Sequence, residues 1–582
     1  MHIGSLTHRS LALLLAALAG HEVSAALDGH CPPLGPVLPA PQRASANPAV
    51  KKGLADFKAA LDKMTAPLNV SAVSVGVKTL GEEAPLFEYH FTPSKLDPKG
   101  VQKVTSDSMY RIASTSKVFP AYALMLIDGV LWEDPVTKYV PELRELAKQA
   151  AAQDAVHVVD WDEVTLGALA SHTSGIPVDL GTDLTAFNPP WEKLGLPKPD
   201  PANSPQCSGL LDGKPCTWED FFTKFGKRPP IYAPNTAPVY SNIGPALLGL
   251  VVERVSGLKF EDFVQQKILD ALGMKHTSAF KPDDKLGVIP VDDQWWTSLL
   301  GFENASGSYY SSTHDLLALG SAILGSKLIS PAKTRRWLKP WTSSSSLGTF
   351  IGTPWEIYRV QNVTRDGRLI ELYTKGGDIT TYHAALIMVP DYDLVVSVNV
   401  AGPEVGGFVQ LIQATATTVL LPALEQASKD EAAVSFTGTY ADRATNSSIT
   451  LATDDAPGLR ATNYTARGVD VLANYLRIGI VPTEPDPSVL VRLRLYPTNL
   501  RSGRQAGWRG VFDLFTPEEV AASDARYPWP QNGCIAWGTM DRLVYQYESL
   551  DYFVFNVEKG ADGAPVATSI ELPAYGLTLT RQ

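Results

Sequence analysis

Apolar positions first recur at helical spacing. Leu54, Phe57, Leu61 and Met64 follow the cap-then-proline pair Asn47-Pro48 and predict a surface helix. Residues 70–77 and 86–91 are short β-type runs and predict paired strands. The run at 118–127 is apolar on nearly all faces, as in a helix buried in the middle of a domain. Pro120 lies early in that run, where it removes a donor and crowds the carbonyl of Ser116, so a local distortion is expected. Further helices are expected at 166–169, 218–225, 244–255, 260–272 and 315–324. The loops between them are heavy in proline, glycine and asparagine, notably 179–213.

The period then shortens. Residues 369–374, 380–388 and 394–400 read as strands of an antiparallel meander, separated by the turn sequences Gly376-Gly377-Asp378 and Pro390-Asp391-Tyr392-Asp393. A helix at 406–424 would pack back across that sheet and close an α+β domain over residues 48–428, with Lys429-Asp430-Glu431 as the boundary. From 434 to 582 no long helical period recurs. The β-type runs at 448–452, 489–496, 542–546, 552–557 and 569–572 predict a separate all-β sandwich or small barrel.

Composition narrows the function classes. The chain has 582 residues, beyond the roughly 250–300 at which one hydrophobic core stops growing, so at least two domains are expected. Apolar residues at 45% and charged residues at 19% suit a globular chain. The net charge of -11, with no basic cluster, argues against a nucleic-acid partner. His8 and Arg9, the apolar run at 11–19 and Val23-Ser24-Ala25 read as a secretory leader over 1–25, followed by a Pro-rich arm at 26–47. The apolar run is short of the roughly 20 residues a bilayer needs, and no later segment was expected to reach that length, so a secreted chain without a membrane span is expected.

Four cysteines in an oxidising compartment suggest disulfides. The turn sequence Asp212-Gly213-Lys214-Pro215 favours pairing Cys207 with Cys216, leaving Cys31 with Cys534. Sequons at Asn69, Asn304, Asn362, Asn446 and Asn463 are candidate glycosylation sites. No metal-type histidine spacing and no phosphate-cradling glycine loop occurs, so neither metal nor cofactor is expected.

The chemistry lies in three ordered elements. Ser-x-x-Lys occurs four times, but only Ser114/Lys117 opens an apolar run upstream of the single Tyr-x-Asn, Tyr240-Ser-Asn242, with Lys375-Gly-Gly377 further on. Three residues apart on a helix, Lys117 can reach the Ser114 hydroxyl. A serine needs a neighbouring base, and a lysine serves if burial and other cations disfavour its charged form. Lys375 would supply the second positive charge, Tyr240 would relay the proton, and Asn242 would hold a substrate carbonyl or amide.

These stretches, with Tyr110-Arg-Ile-Ala-Ser-Thr-Ser-Lys117, Leu169-Ala-Ser-His-Thr-Ser-Gly-Ile176 and Thr374-Lys-Gly-Gly-Asp378, resemble the serine β-lactamase and penicillin-binding-protein superfamily. They look most like its class C-type branch with related esterases and D-aminopeptidases, over roughly residues 48–425. The N-terminal arm and β-rich tail are similar to those of secreted fungal β-lactamase-like proteins. The resemblance implies a β-lactamase/transpeptidase-like fold and an acyl-enzyme on Ser114. It also implies oxyanion donors at the N–H groups of Ser114 and Asp378, beside Gly377. Lys375-Gly-Gly377 departs from the Lys-Thr-Gly of class C β-lactamases and lacks a hydroxyl that would help hold a substrate carboxylate. Asp378 is expected either to repel anionic substrates or to pair with Lys375. His172 is expected to shape its loop, and His383 to line the site or pack. A serine hydrolase acting on a small-molecule or peptide ester, lactone or amide is therefore expected. An acyltransferase using the same intermediate, and a non-catalytic binding protein, are the alternatives.

Overall fold

The computed structural model describes residues 31–150, 152–187, 190–205, 207, 214–479, 491–514, 517–529, 534–560 and 564–582. The leader expected at 1–25 and the turn residues Asp212 and Gly213 lie outside these. The chain forms two compact units. One comprises Ala40–Val360 and Glu371–Leu424; the other comprises Gln361–Ile370 and Glu425–Gln582 with the described residues up to Pro39.

In the first unit, α1 (Pro48–Thr65) starts where expected, because the Asn47 side chain accepts from the N–H groups of Ala49 and Val50. β1 (Ala72–Thr79) and β2 (Phe87–Phe91) form the expected antiparallel pair. α2 (Val118–Met125), α3 (Leu166–Ala170), α4 (Ile243–Ser256) and α5 (Thr313–Leu324) follow. Then come β3 (Thr342–Ser343), β4 (Thr349–Ile351), β5 (Glu356–Val360), β6 (Ile370–Ile379), β7 (Tyr382–Val389), β8 (Leu394–Ala401) and α6 (Phe408–Ser435). The strands make an eight-stranded sheet in the order β2-β1-β8-β7-β6-β5-β4-β3, so the predicted meander is its centre, but Gly376-Gly377-Asp378, expected as a turn, lies within β6 and the chain reverses at Thr380-Thr381. Sequence patterning missed β3, β4 and β5, which are short and only half-buried.

β8 is buried along its whole length, as a central strand covered on both faces must be. On one face Gly76 of β1 and Gly320 of α5 leave room for Leu317 and Val395 respectively. α1 packs on β2 through Phe57 and Phe87, whose ring centroids are 5.4 Å apart. The helices α2 and α4 carry Phe119, Tyr122, Leu247 and Val251 into the main core.

Several expectations need correction. Ser114 and Lys117 lie in a 3₁₀ turn, Ala113–Lys117, rather than in the α-helix, which begins at Val118. Pro120 therefore falls in the first turn of α2, where an N–H has no intrahelical partner to lose. The single helix expected at 260–272 is interrupted by a π-helical segment, Gln265–Leu269, between Phe260–Val264 and Asp270–Leu272. α6 continues through Lys429-Asp430-Glu431 to Ser435, so those charges sit within a helix, and the units divide inside it at Leu424/Glu425. It is long and apolar enough to cross a membrane, contrary to the expected ceiling, although 56% of its most apolar 18-residue window is buried as in a core helix.

The second unit is a closed antiparallel barrel. It is built from β9 (Gly438–Asp442), β10 (Ser447–Ala452), β11 (Leu459–Ala466), β12 (Val469–Asp470), β13 (Arg492–Ser502), β14 (Gln505–Asp513), β15 (Tyr552–Lys559), β16 (Pro565–Leu572) and β17 (Leu577–Arg581). The order β10-β9-β17-β16-β15-β14-β13-β11 closes through the β10–β11 pairing, and β12 adds to β11. Closure leaves no edge among the eight ring strands. Alternation fills the interior with Tyr440, Ile449, Leu495, Trp508, Phe553 and Phe555. Short helices Val471–Gly479, Pro517–Asp524 and Ala536–Thr539 interrupt the expected all-strand pattern, and the run at 542–546 shrinks to the strand Val544–Tyr545. Cys207 pairs with Cys216 and Cys31 with Cys534, the pairing favoured from the turn sequence between the first two.

Candidate active site

The 3₁₀ turn is what brings the first pair together. With three residues per turn, side chains at i and i+3 eclipse, so Lys117 stands directly over Ser114. Its Nζ donates to Ser114 Oγ at 2.8 Å, to Asn242 Oδ1 at 2.9 Å and to the Ser306 carbonyl at 2.9 Å. Ala113, just before the serine, has φ of 42°, a costly value for a residue with a Cβ. Lys117 is 1% exposed. Burial pushes its ammonium below the usual lysine range; Tyr240 pulls the other way, and the charge of Lys375 adds to the lowering.

Tyr240 and Asn242 come from a loop laced to residues 172–178. The N–H groups of Asn235, Val239 and Asn242 donate to the carbonyls of Thr173, His172 and Val178. Gly175 allows this close approach: its φ is 68°, and a Cβ there would lie 2.1 Å from the Tyr232 carbonyl oxygen. His172 accepts the Ser241 N–H at Nδ1 and stacks on the Tyr240 ring, centroids 4.3 Å apart. Burial, then the charges of Lys117 and Lys375, hold His172 well below the usual imidazole range, so it stays neutral and shapes the loop. The amines of Lys117 and Lys375 lie 5.0 and 5.5 Å from the centre of the Tyr240 ring. Burial opposes ionisation of its hydroxyl, but the lysine neighbours, chiefly through the charges of Lys117 and Lys375, bring the group down to about 8.

Lys375 reaches the same place from β6. A Cβ on Gly377 would lie 2.1 Å from the Ile112 carbonyl oxygen and 3.0 Å from the Ser114 nitrogen, so only glycine lets β6 lie against the turn that carries the serine. Thr115 Oγ1 donates to the Lys375 carbonyl at 3.1 Å and ties the two segments.

Asp378 does not pair with Lys375. The β6–β7 register sets it opposite His383, which it meets at 2.8 Å, and this hydrogen bond holds its carboxyl below the usual range against burial. Lys375 pairs instead with Glu356 of β5, Nζ to Oε1 2.6 Å, while Glu356 Oε2 accepts the Gly376 N–H at 3.1 Å. Burial lowers the Lys375 pKa, but the charges of Glu356 and Tyr240 and the Glu356 hydrogen bond outweigh it, so the group titrates above its ordinary value. Glu356→Gln is expected to destabilise this unit by about 2 kcal/mol, because the buried Lys375 ammonium loses the negative charge of its partner. Chemical denaturation checks this, and an unchanged midpoint would count against it.

Glu356, Ser306, Glu303 and Asp179 were missed by sequence reading. Each comes from a segment remote in the chain with no motif of its own. Asp179, Glu303 and Asp378 line a cavity of about 140 Å³ with Ser114, Asn242 and Gly307. Among the described residues no group of three or more metal-type ligands is found. Of the sequons, Asn69, Asn362, Asn446 and Asn463 are exposed, whereas Asn304 is half-buried with its amide on Glu261.

The fold and this cluster define a protein of the serine β-lactamase and penicillin-binding-protein type. The chain belongs to the beta-lactamase family, whose model matches residues 85–414; the model "Beta-lactamase-like-like, C-terminal domain" matches residues 428–582. It is 28% identical to "Beta-lactamase-like protein" of Arthroderma benhamiae, covering 97% of this chain and 98% of that one. It is 25% identical to "Probable hydrolase clz13" of Cochliobolus lunatus, over 88% of this chain and 85% of that one. Among solved structures, the D-stereospecific amidohydrolase from Streptomyces sp. aligns with a TM-score of 0.47 at 19% identity, covering 62% of this chain and 97% of that one.

Proposed function

We propose that this protein is a secreted serine hydrolase that cleaves a small ester, lactone or amide through an acyl-enzyme on Ser114. The observation that carries the reading is the buried Lys117 amine 2.8 Å from Ser114 Oγ. The Lys117–Tyr240 pair takes the hydroxyl proton as Ser114 Oγ bonds to the substrate carbonyl carbon. The resulting oxyanion is held by the N–H groups of Ser114 and Asp378, and Asn242 orients the substrate. The scissile bond breaks as the network returns its proton to the leaving group. Water then attacks the acyl-enzyme, losing a proton to the same network, and frees the acid and Ser114. The two disulfides and the full-length fungal relative support secretion.

A fluorophosphonate probe tests this directly. The wild type should be labelled and Ser114→Ala should not; equal labelling of both would remove Ser114 as nucleophile. Activity requires the network to have lost a proton, so kcat/KM should rise with pH, with an apparent pKa near 8, and fall at lower pH as the network is protonated. In Tyr240→Phe the residual activity should lose that limb. A flat wild-type profile between pH 6 and 10 would contradict the assignment.

A further inference from the structure

The cavity beside Ser114 carries an excess of carboxyl groups that the acyl-transfer chemistry does not use. Asp179 and Glu303 line it together, and Asp378 lines it beside Ile379. Asp378 is already held by His383. Asp179 is 3% exposed; one carboxylate oxygen takes the N–H and hydroxyl of Thr182. The backbone N–H of Leu180, the residue after Asp179, favours the charged form of Glu303. Among the described residues the cation acting on Glu303 is Lys117, whose amine is committed to Ser114, Asn242 and the Ser306 carbonyl.

Removing a carboxyl from water without a full cationic partner is costly, and for the partly exposed Glu303 the pull of Lys117 and the Leu180 N–H offsets that cost only in part. Burial, with Asp179 adding to it, raises the Glu303 carboxyl to about 8 against the pull of Lys117 and the Leu180 N–H. A cation placed between the two acids would remove both penalties and restore ionisation of Glu303. The cavity opens onto the reactive hydroxyl, so such a cation would belong to the acyl group being transferred. At about 140 Å³ it holds an acyl chain of a few heavy atoms.

We propose that Glu303 and Asp179 select acyl donors bearing an ammonium one or two carbons from the scissile carbonyl, and that anionic acyl groups are turned away by the same carboxyls. The inference rests on Ser114 being the acylated residue.

Glycyl and β-alanyl p-nitrophenyl esters, compared with their neutral isosteres propionyl and butyryl p-nitrophenyl esters, isolate the charge. After correction for uncatalysed hydrolysis, the wild type should favour an amino-acyl ester in kcat/KM by about tenfold or more, the scale of one charge-assisted hydrogen bond. That ratio should collapse toward one in Glu303→Gln and fall in Asp179→Asn. Because it is a ratio within one preparation, partial misfolding of a variant leaves it readable. In the unmodified enzyme, β-alaninamide should protect Ser114 from the fluorophosphonate and butyramide should not. Ser114-dependent turnover with no amino-acyl preference, or a preference that survives both substitutions, would overturn the proposal. Turnover that persists in Ser114→Ala would instead defeat the acyl-enzyme reading.

Discussion

Lys117→Met should lower kcat/KM for an activated ester by about 10³- to 10⁴-fold, the upper range for a positioned proton-transfer group. Methionine fills much of the lysine volume but cannot accept the Ser114 proton or donate to it. If Ser114 is the nucleophile proposed above, the loss should appear in acylation, because Lys117 contacts that hydroxyl and its loop, with its three donors spent on Ser114, Asn242 and Ser306. A stability loss of about 1–3 kcal/mol should accompany it, since the Asn242 and Ser306 oxygens lose their donor. Steady-state kinetics on folded enzyme, with the unfolding midpoint measured alongside, separates the two effects. A loss below tenfold would mean that another group activates Ser114.

Gly377→Val comes next in size. Its Cβ alone would meet the Ile112 carbonyl oxygen at 2.1 Å, the Thr115 nitrogen at 2.9 Å and the Ser114 nitrogen at 3.0 Å. All three are backbone atoms, so no side chain can swing away and the turn or the strand must shift. A displacement of about 1 Å at a reacting group can cost about 10²-fold, and acylation should fall by at least that much. Gly376→Ala is the control. Its Cβ would meet only Glu356 Oε2, at 3.3 Å, the end of a half-exposed side chain. That variant should lose no more than a few-fold, and equal loss in both would refute the steric account.

The site was legible where chemistry and local geometry coincide. Ser114 and Lys117 are three residues apart, and any helical turn superposes them; the 3₁₀ form does so more closely than the α-helix first expected. Tyr240 and Asn242 were readable by type and order, yet their placement depends on loop-to-loop hydrogen bonds with residues 172–178. The partner of Lys375 was not readable. Glu356 meets it because β5 lies beside β6 in the sheet, and sheet order is not encoded within either strand. The same holds for Asp378, whose partner was set by the β6–β7 register.

At the level of the fold, periodicity by itself determined the buried helix Val118–Met125, the central meander and the change from an α+β unit to a β-rich one. These follow from side-chain spacing along a short stretch of chain. Barrel closure through β10 and β11, the grouping of Gln361–Ile370 with the barrel unit, and the acidic cavity beside Ser114 were decided only by tertiary structure. Each depends on segments far apart in sequence, whose meeting is driven by shared burial of apolar surface and carries no local periodic signal.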